Sequence, residues 1–402
     1  MATELDGIFD SFDKNSIFKD KSILQTNYSP DNIPYRDEQI KQIASILAPV
    51  LRGERTSNLF LYGKTGTGKT LSIQYVRDEL LKRAKKESDF ELKIEYLNCK
   101  LKKVADTEYR ILAELIKKLG GEIPSTGLPT QSVYSKFIEL IDSEKQLLVL
   151  ILDEIDQTVK KISNDFLYNL TRLNSELSQT KICVVGISNN LTFLDEIDPR
   201  VRSSLSEEEI VFPPYNALQL QQILKKRAEG AFKEGVLQEG VVAKCAAFAA
   251  REHGDARRAL DLLRIAGELA ERAGSKKILL KYIDEANDKI EKDKILDVIR
   301  TEPKQFQLVL HSIIELTEKN KESIFTGNIY NFYQNFCLKN KYDVLTQRRV
   351  SDIIQEFDML GIINVTIISK GRGGRMREIK LAIANNIVKQ AKEIIRDSLN
   401  YN

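Results

Sequence analysis

The residues best placed to do chemistry lie in "YGKTGTGKTLSIQYV", Tyr62 to Val76. Gly63, Gly68, Lys69 and Thr70 satisfy the pattern Gly-x4-Gly-Lys-Thr, with Gly66 and Thr67 inside it. Each residue type has a reason. Glycines let successive backbone N–H groups turn inward around phosphates, and the helix that follows offers its positive N-terminus. Lys69 would reach the β- and γ-phosphates, and Thr70 would set its hydroxyl on Mg²⁺. The chemistry implied is the binding and hydrolysis of a nucleoside triphosphate.

A second constellation, "LLVLILDEID", ends an apolar run on Asp153 and Glu154. Asp153 would hold the metal through water and Glu154 would polarise the attacking water; a solvated turn is the plainer reading of the same pair. Three further polar residues fit triphosphate sensing. Asn189, closing "VVGISN", reaches the γ-phosphate or caps the next helix. Arg257 in "HGDARRAL" closes onto the phosphates or forms a surface ion pair. Arg200 in "DPRVRSSL" reaches a neighbouring molecule's nucleotide, with Arg202 competing for that role.

These residues need a frame. "NLFLYGKTGTGKTLSIQYVRDELLKRAKK" reads as strand, Gly-rich turn and helix, preceded by a helix from about Asp37 to Leu51. "LKIEYLNCK", "LLVLILDE" and "KICVVGISNN" are further strand candidates, the second apolar throughout as in a strand covered on both faces. Strands alternating with helices predict a doubly wound α/β domain over residues 1–212. From Pro213 to about residue 295 helical spacing takes over, punctuated by Gly240, Gly254 and Gly274, and predicts an all-helical unit.

The remainder, residues 296–402, predicts three helices, a strand–turn–strand and a last helix from about Asn385. "LTQRRVSDIIQEFDMLG" places Val350, Ile353, Ile354, Phe357 and Leu360 on one helical face, with Thr346 as N-cap and Gly361 as stop. With the helix in "TGNIYNFYQNFCLKN" before it and "IISKGRGGRMREIKL" after it, the pattern is a winged helix-turn-helix. Gln347, Arg348 and Ser351 would approach base edges, with Arg349 a further DNA-binding candidate, while Arg372 and Arg375 of the wing would contact phosphates or a minor groove. The plainer alternative is a protein-contact winged helix with a solvated arginine pair.

The chain resembles the archaeal replication initiators, homologues of eukaryotic origin recognition complex subunit one and the cell division control six protein. "GKTGTGKT", "LDEID", "GISNN", "DPRVRSSL", "FPPYNALQLQQILKKR" and "HGDARRAL", followed by a winged helix, carry that resemblance over nearly the whole length. It implies an AAA+ core with a parallel sheet, an all-helical lid and a C-terminal winged-helix domain. It also implies that Tyr215 and Arg227 contact the nucleotide at the hinge into the lid, and that "PYRDEQ" lies near the adenine. An initiator-specific insertion at about residues 106–140 would touch DNA beside the winged helix. The implied cofactors are ATP or ADP with Mg²⁺. The implied partners are double-stranded origin DNA, the replicative helicase and other initiator paralogues, and the implied activity is slow, regulatory ATP hydrolysis. A nucleotide-switched transcription regulator is the alternative, and a ring-forming remodeller a third option.

Composition narrows the rest. With 402 residues, 42% apolar and 30% charged, the chain is long enough for two or three cores and too apolar to be disordered. The net charge of +3 creates no global field, but residues 296–402 hold 16 Lys/Arg against 12 Asp/Glu, leaving 45 against 46 elsewhere. Four scattered cysteines form no zinc or redox motif, and two histidines leave little room for histidine catalysis. Without an apolar run of about 18 residues or a signal-like start, a cytoplasmic, nucleoid-associated protein with no membrane partner is expected.

Overall fold

A computed structural model of the chain describes residues 16–26, 28, 30, 32–87, 90–100, 107–124, 127–162, 165–205, 207–319, 324–369 and 375–399. It divides into two units, Met1–Ile283 and Asp284–Asn402.

The first unit is built on five parallel strands: β1 (Asn58–Tyr62), β2 (Glu91–Asn98), β3 (Gln146–Asp153), β4 (Lys181–Ser188) and β5 (Glu207–Val211), in the order β2-β3-β4-β1-β5. Side chains alternate between the faces, so a strand covered on both sides must be apolar throughout. Leu59, Leu61, Val149, Ile151, Cys183 and Val185 pack against Ile43 and Leu47 of α1 (Asp37–Leu47) and Ile73, Val76 and Leu80 of α2 (Lys69–Glu87). Phe60, Leu148, Leu150, Leu152, Ile182 and Val184 face the other way. They meet α3 (Glu108–Lys118), α4 (Thr130–Ile141), α5 (Ile155–Lys161), α6 (Asp165–Arg172) and α7 (Pro199–Leu205).

Two expectations shift. The first helix was expected to reach Leu51, but α1 stops at Leu47 and continues as a 3-10 turn, Ala48–Arg52. Pro49 lacks the N–H that the α-helical ladder would need there. The inserted helices are α3, capped by the Thr107 side chain on the Arg110 N–H, and α4; Asp106, expected at their start, lies outside the described residues.

Helices α8 (Ala217–Ala231), α9 (Val241–Arg251) and α10 (Ala256–Arg272) follow, with no strand among them. Asn216 and Gln219 form a capping box on α8, and the Asp255 side chain caps α10. A segment before α1 docks here: Phe18 stacks on Phe232 at 4.9 Å, and Ser16 and Ile17 bind the Glu271 carboxylate. The division between the units falls within α11 (Leu280–Thr301).

The second unit holds α12 (Lys304–Lys319), β6 (Ile324–Phe325), α13 (Thr326–Lys339), α14 (Gln347–Met359), β7 (Ile363–Ser369), β8 (Arg375–Leu381) and α15 (Asn385–Leu399). β7 and β8 form an antiparallel hairpin, with β6 on the far side of β8. Val350, Ile353, Ile354 and Phe357 of α14 are buried against this unit's core. Leu360, expected on the same face, is the C-cap residue and 43% exposed, because the helix ends one residue earlier. Among the described residues no helix is long and apolar enough to cross a membrane, and the four cysteines are buried and unpaired.

Candidate functional site

β3, β4 and β1 are neighbours in the sheet, and their C-terminal tips carry Asp153, the Asn189 that follows Ser188, and the Gly63–Thr70 loop. Strands about 4.8 Å apart therefore bring to one edge residues that are 120 apart in sequence. Lys69 Nζ, 5% exposed, donates to Gly63 O at 2.7 Å, Lys64 O at 2.9 Å and Asn189 Oδ1 at 2.9 Å. Burial pulls its ammonium down to about 8, with nearby Asp153 opposing the shift.

Asp153 is fully engaged. Its Oδ2 accepts from Thr70 Oγ1 and from Tyr96 Oη, both at 2.8 Å, and its Oδ1 accepts from the Glu154 N–H at 2.9 Å. Glu154 takes φ 56° and ψ 42°, the left-handed region, which lets the chain leave β3 and start α5 at once. Its carboxylate lies 3.5 Å from Lys100 Nζ. The reading of Asp153 and Glu154 as a solvated turn does not describe this geometry, since Asp153 is only 5% exposed.

These groups open into a cavity of about 510 Å³, within the range of ligand pockets. Thr65–Leu71, Tyr96, Asp153, Glu154 and Asn189 line it together with Ile23, Ile33, Tyr215, Ile223, Arg227, Arg257 and Leu260, among others. The lining thus joins a glycine-rich backbone cradle and its lysine with apolar side chains such as Ile23, Ile33, Ile223 and Leu260, which suits a polyphosphate joined to a flat base. A Cβ built on Gly66 would collide with the Asp255 carboxylate, and Gly66 O accepts from the Ala256 N–H at 3.3 Å. The N-terminus of α10 thus sits directly on the loop.

The sensing residues have these local contacts. Asn189 Oδ1 accepts from Lys69, and Thr192, the N-cap of the short helix that follows, makes no side-chain capping bond; Asn190 Oδ1 accepts from the Thr192 N–H at 3.0 Å in a local turn. Arg257 lines the cavity, while its neighbour Arg258 pairs with Glu252 at 2.8 Å. Arg227 lies over the Tyr28 ring at 4.4 Å and donates to Ile23 O. Tyr215, 4% exposed, lies against Arg36. Arg200 and Arg202 are exposed, paired with Asp198 and Asp195 at 2.9 Å each, and neither lines the cavity. Sequence reasoning missed Tyr96, whose hydroxyl meets Asp153 only because β2 pairs with β3 in this register.

In the second unit, Gln347, Arg348 and Arg349 begin α14 and are exposed, and Ser351 is half-buried. Thr346 Oγ1 caps the Arg349 N–H. The Arg349 side chain lies 4.0 Å from Asp352 and 3.7 Å from Glu356 on its own helix, whereas Arg348 has no ion-pair partner among the described residues. Arg375 opens β8 opposite Ser369; Arg372 lies outside the described residues. Arg377, exposed on β8 opposite Ile367, is a further hairpin cation that sequence reasoning did not single out.

Family models match three stretches: an AAA domain over residues 52–193, a Cdc6 AAA+ ATPase-type lid domain over 221–288, and a CDC6 C-terminal winged helix domain over 297–391. The ORC1-type DNA replication protein of Thermococcus onnurineus is 49% identical, with 96% of this chain and 93% of that protein covered. ORC1-type DNA replication protein 1 of Methanosarcina mazei is also 49% identical, over 95% of this chain and 92% of its own length. The solved structure of the Aeropyrum pernix ORC1 protein in complex with DNA is 42% identical, covering 95% of this chain and 97% of that chain with a TM-score of 0.81. A P-loop parallel sheet, a helical lid and a C-terminal winged helix, matched along nearly the full length at this identity, show that the chain belongs to the family of ORC1-type DNA replication proteins.

Proposed function

We propose that the chain is an ATP-dependent DNA replication initiator. Residues 1–212 are its nucleotide-binding core, 213–295 its lid and 296–402 its DNA-binding domain. The winged helix reads an origin duplex element through Gln347, Arg348, Arg349 and Ser351, with Arg372 and Arg375 on the backbone, while the 106–140 insertion contacts the adjacent duplex. What carries the reading is the conjunction, in one chain, of a cavity lined by a Gly-x4-Gly-Lys-Thr loop with a helix-turn-helix and hairpin. The solved DNA complex of the 42%-identical relative supports it.

In the nucleotide site, Gly63, Gly66, Thr67 and Gly68 turn backbone around the phosphates and Lys69 neutralises them. The donor set suits a hard cation: a hydroxyl and a carboxylate already within hydrogen-bond reach of one another. Thr70 and Asp153 would hold Mg²⁺, which would offset the charge of the β- and γ-phosphate oxygens. Tyr215 and Arg227 face the nucleoside. Glu154 polarises the attacking water, Asn189 and Arg257 register the γ-phosphate, and Arg200, with Arg202 as its competitor, serves a neighbouring molecule's site. Hydrolysis is slow and regulatory, ATP setting the lid and the DNA-bound geometry before the replicative helicase or other initiator paralogues engage.

Footprinting the purified protein with ATP across its own genome tests this reading. Protection of discrete origin elements is expected. Occupancy confined to promoters would instead support a nucleotide-switched transcription regulator.

A further inference from the structure

Arg36, just before α1, is 2% exposed, yet among the described residues no carboxylate pairs with it. Its guanidinium is spread over backbone carbonyls: Nε donates to Thr67 O at 2.7 Å, Nη1 to Tyr35 O at 3.0 Å, and Nη2 to Pro213 O. Its flat face lies 3.9 Å from the centroid of the Tyr215 ring. Burying a cation without a counter-charge costs far more than burying an apolar side chain of the same volume, so stability alone does not account for an arginine here.

The position of the Thr67 carbonyl does. The peptide bonds are trans, so the Gly68 N–H points opposite to Thr67 O. Thr67 and Gly68 line the cavity and Arg36 does not; a bond from Arg36 to the carbonyl therefore leaves the amide facing the cavity. Gly68 has φ 92°, a conformation glycine enters and leaves freely, so this peptide plane can rotate unless something outside the loop holds it. Arg36 also bonds Pro213 O and stacks on Tyr215 in the hinge before α8, and Gly254, just before α10, is packed so close to the Tyr215 backbone that a Cβ would collide with it.

We infer that Arg36 is a positioning residue for the phosphate cradle: it fixes the Thr67–Gly68 peptide with its N–H toward a polyphosphate and ties that orientation to the lid hinge. The inference rests on the cavity being the nucleotide site. Its ligand class is the nucleoside di- and triphosphate, as opposed to the nucleoside.

The full chain carrying Arg36→Met tests it, with Arg36→Lys as a second variant that keeps the charge but not the planar fork. ADP and AMP are titrated by calorimetry, bound ADP is observed by ³¹P NMR, and the melt is recorded without nucleotide. Arg36→Met should still fold and melt cooperatively, because removing a buried charge offsets the carbonyls left without their donor. It should lose about tenfold or more in ADP affinity, the worth of one charge-assisted hydrogen bond, and clearly less in AMP affinity. The β-phosphorus resonance should move toward that of free ADP, and Arg36→Lys should fall on the same side. Unchanged ADP affinity, equal losses for ADP and AMP, or failure of both variants to fold would overturn the inference. A wild-type protein that bound no ADP would instead remove the nucleotide site itself, which is seen without any variant.

Discussion

Thr70 Oγ1 donates a 2.8 Å hydrogen bond to Asp153 Oδ2, joining the first turn of α2 to the tip of β3 across 83 residues of sequence. The two groups hold each other where a hydroxyl and a carboxylate would share a divalent cation. Asp153→Asn should keep most nucleotide affinity without Mg²⁺ and lose the increase that Mg²⁺ brings, read by titrating Mg²⁺ against a fluorescent ATP analogue. An undiminished Mg²⁺ response would place the metal elsewhere.

Lys69 supplies a pH dependence. Its folded value, about 8, lies below the 10.5 of the free side chain, so between those values the folded chain binds fewer protons than the unfolded one. Its contribution to stability without nucleotide therefore rises with pH through that window. Nucleotide affinity should run the other way, because phosphates need the ammonium: about tenfold weaker per pH unit above 8, until the complex itself titrates. Lys69→Met should bind ATP weakly and show no such slope in calorimetry.

Glu154 combines strain with its proposed role. A non-glycine residue in the left-handed region costs about 1–2 kcal/mol, and the 3.5 Å pair with Lys100 is a surface contact of little weight. Glu154→Gly should match or exceed wild-type stability by about 1 kcal/mol in thermal melts, and abolish hydrolysis. Glu154→Gln should abolish hydrolysis with no such gain, both variants still binding ATP. Turnover surviving in Glu154→Gln would remove this residue from the chemistry.

Two adjacent arginines should differ on DNA. Arg349 is occupied by Asp352 and Glu356, while among the described residues Arg348 has no such partner. Arg348→Ala should weaken duplex binding several-fold more than Arg349→Ala, and each lost phosphate contact should lower the salt slope by about 1. Fluorescence anisotropy at several salt concentrations measures both. With Arg348 and Arg372 both reversed to Glu, binding at moderate salt should be lost while the melt is unchanged.

The features legible in the sequence are those whose physics is local. The glycine spacing around Lys69, the apolar run ending at Asp153 and the α14 face of Val350, Ile353, Ile354 and Phe357 depend on a few consecutive residues. The features that escaped depend on pairing across the chain. β5, "EEEIV", has no apolar run because it is an edge strand, recognisable only beside β1. Tyr96 and Arg36 look like ordinary polar residues until β2 lies against β3 and the first helix lies under the loop. The contacts of Asn189 and Arg257 were similarly open, since whether Asn189 reaches Lys69 and Arg257 the cavity depends on strands and helices distant in sequence.

The most direct test of the account is to map the protein's binding sites in growing cells against the marker-frequency profile of the same genome. The expected result is that the strongest sites coincide with the marker-frequency maximum, where replication begins, and vanish when Arg348 and Arg372 are both reversed to Glu. Binding sites scattered over promoters, with none at that maximum, would contradict it.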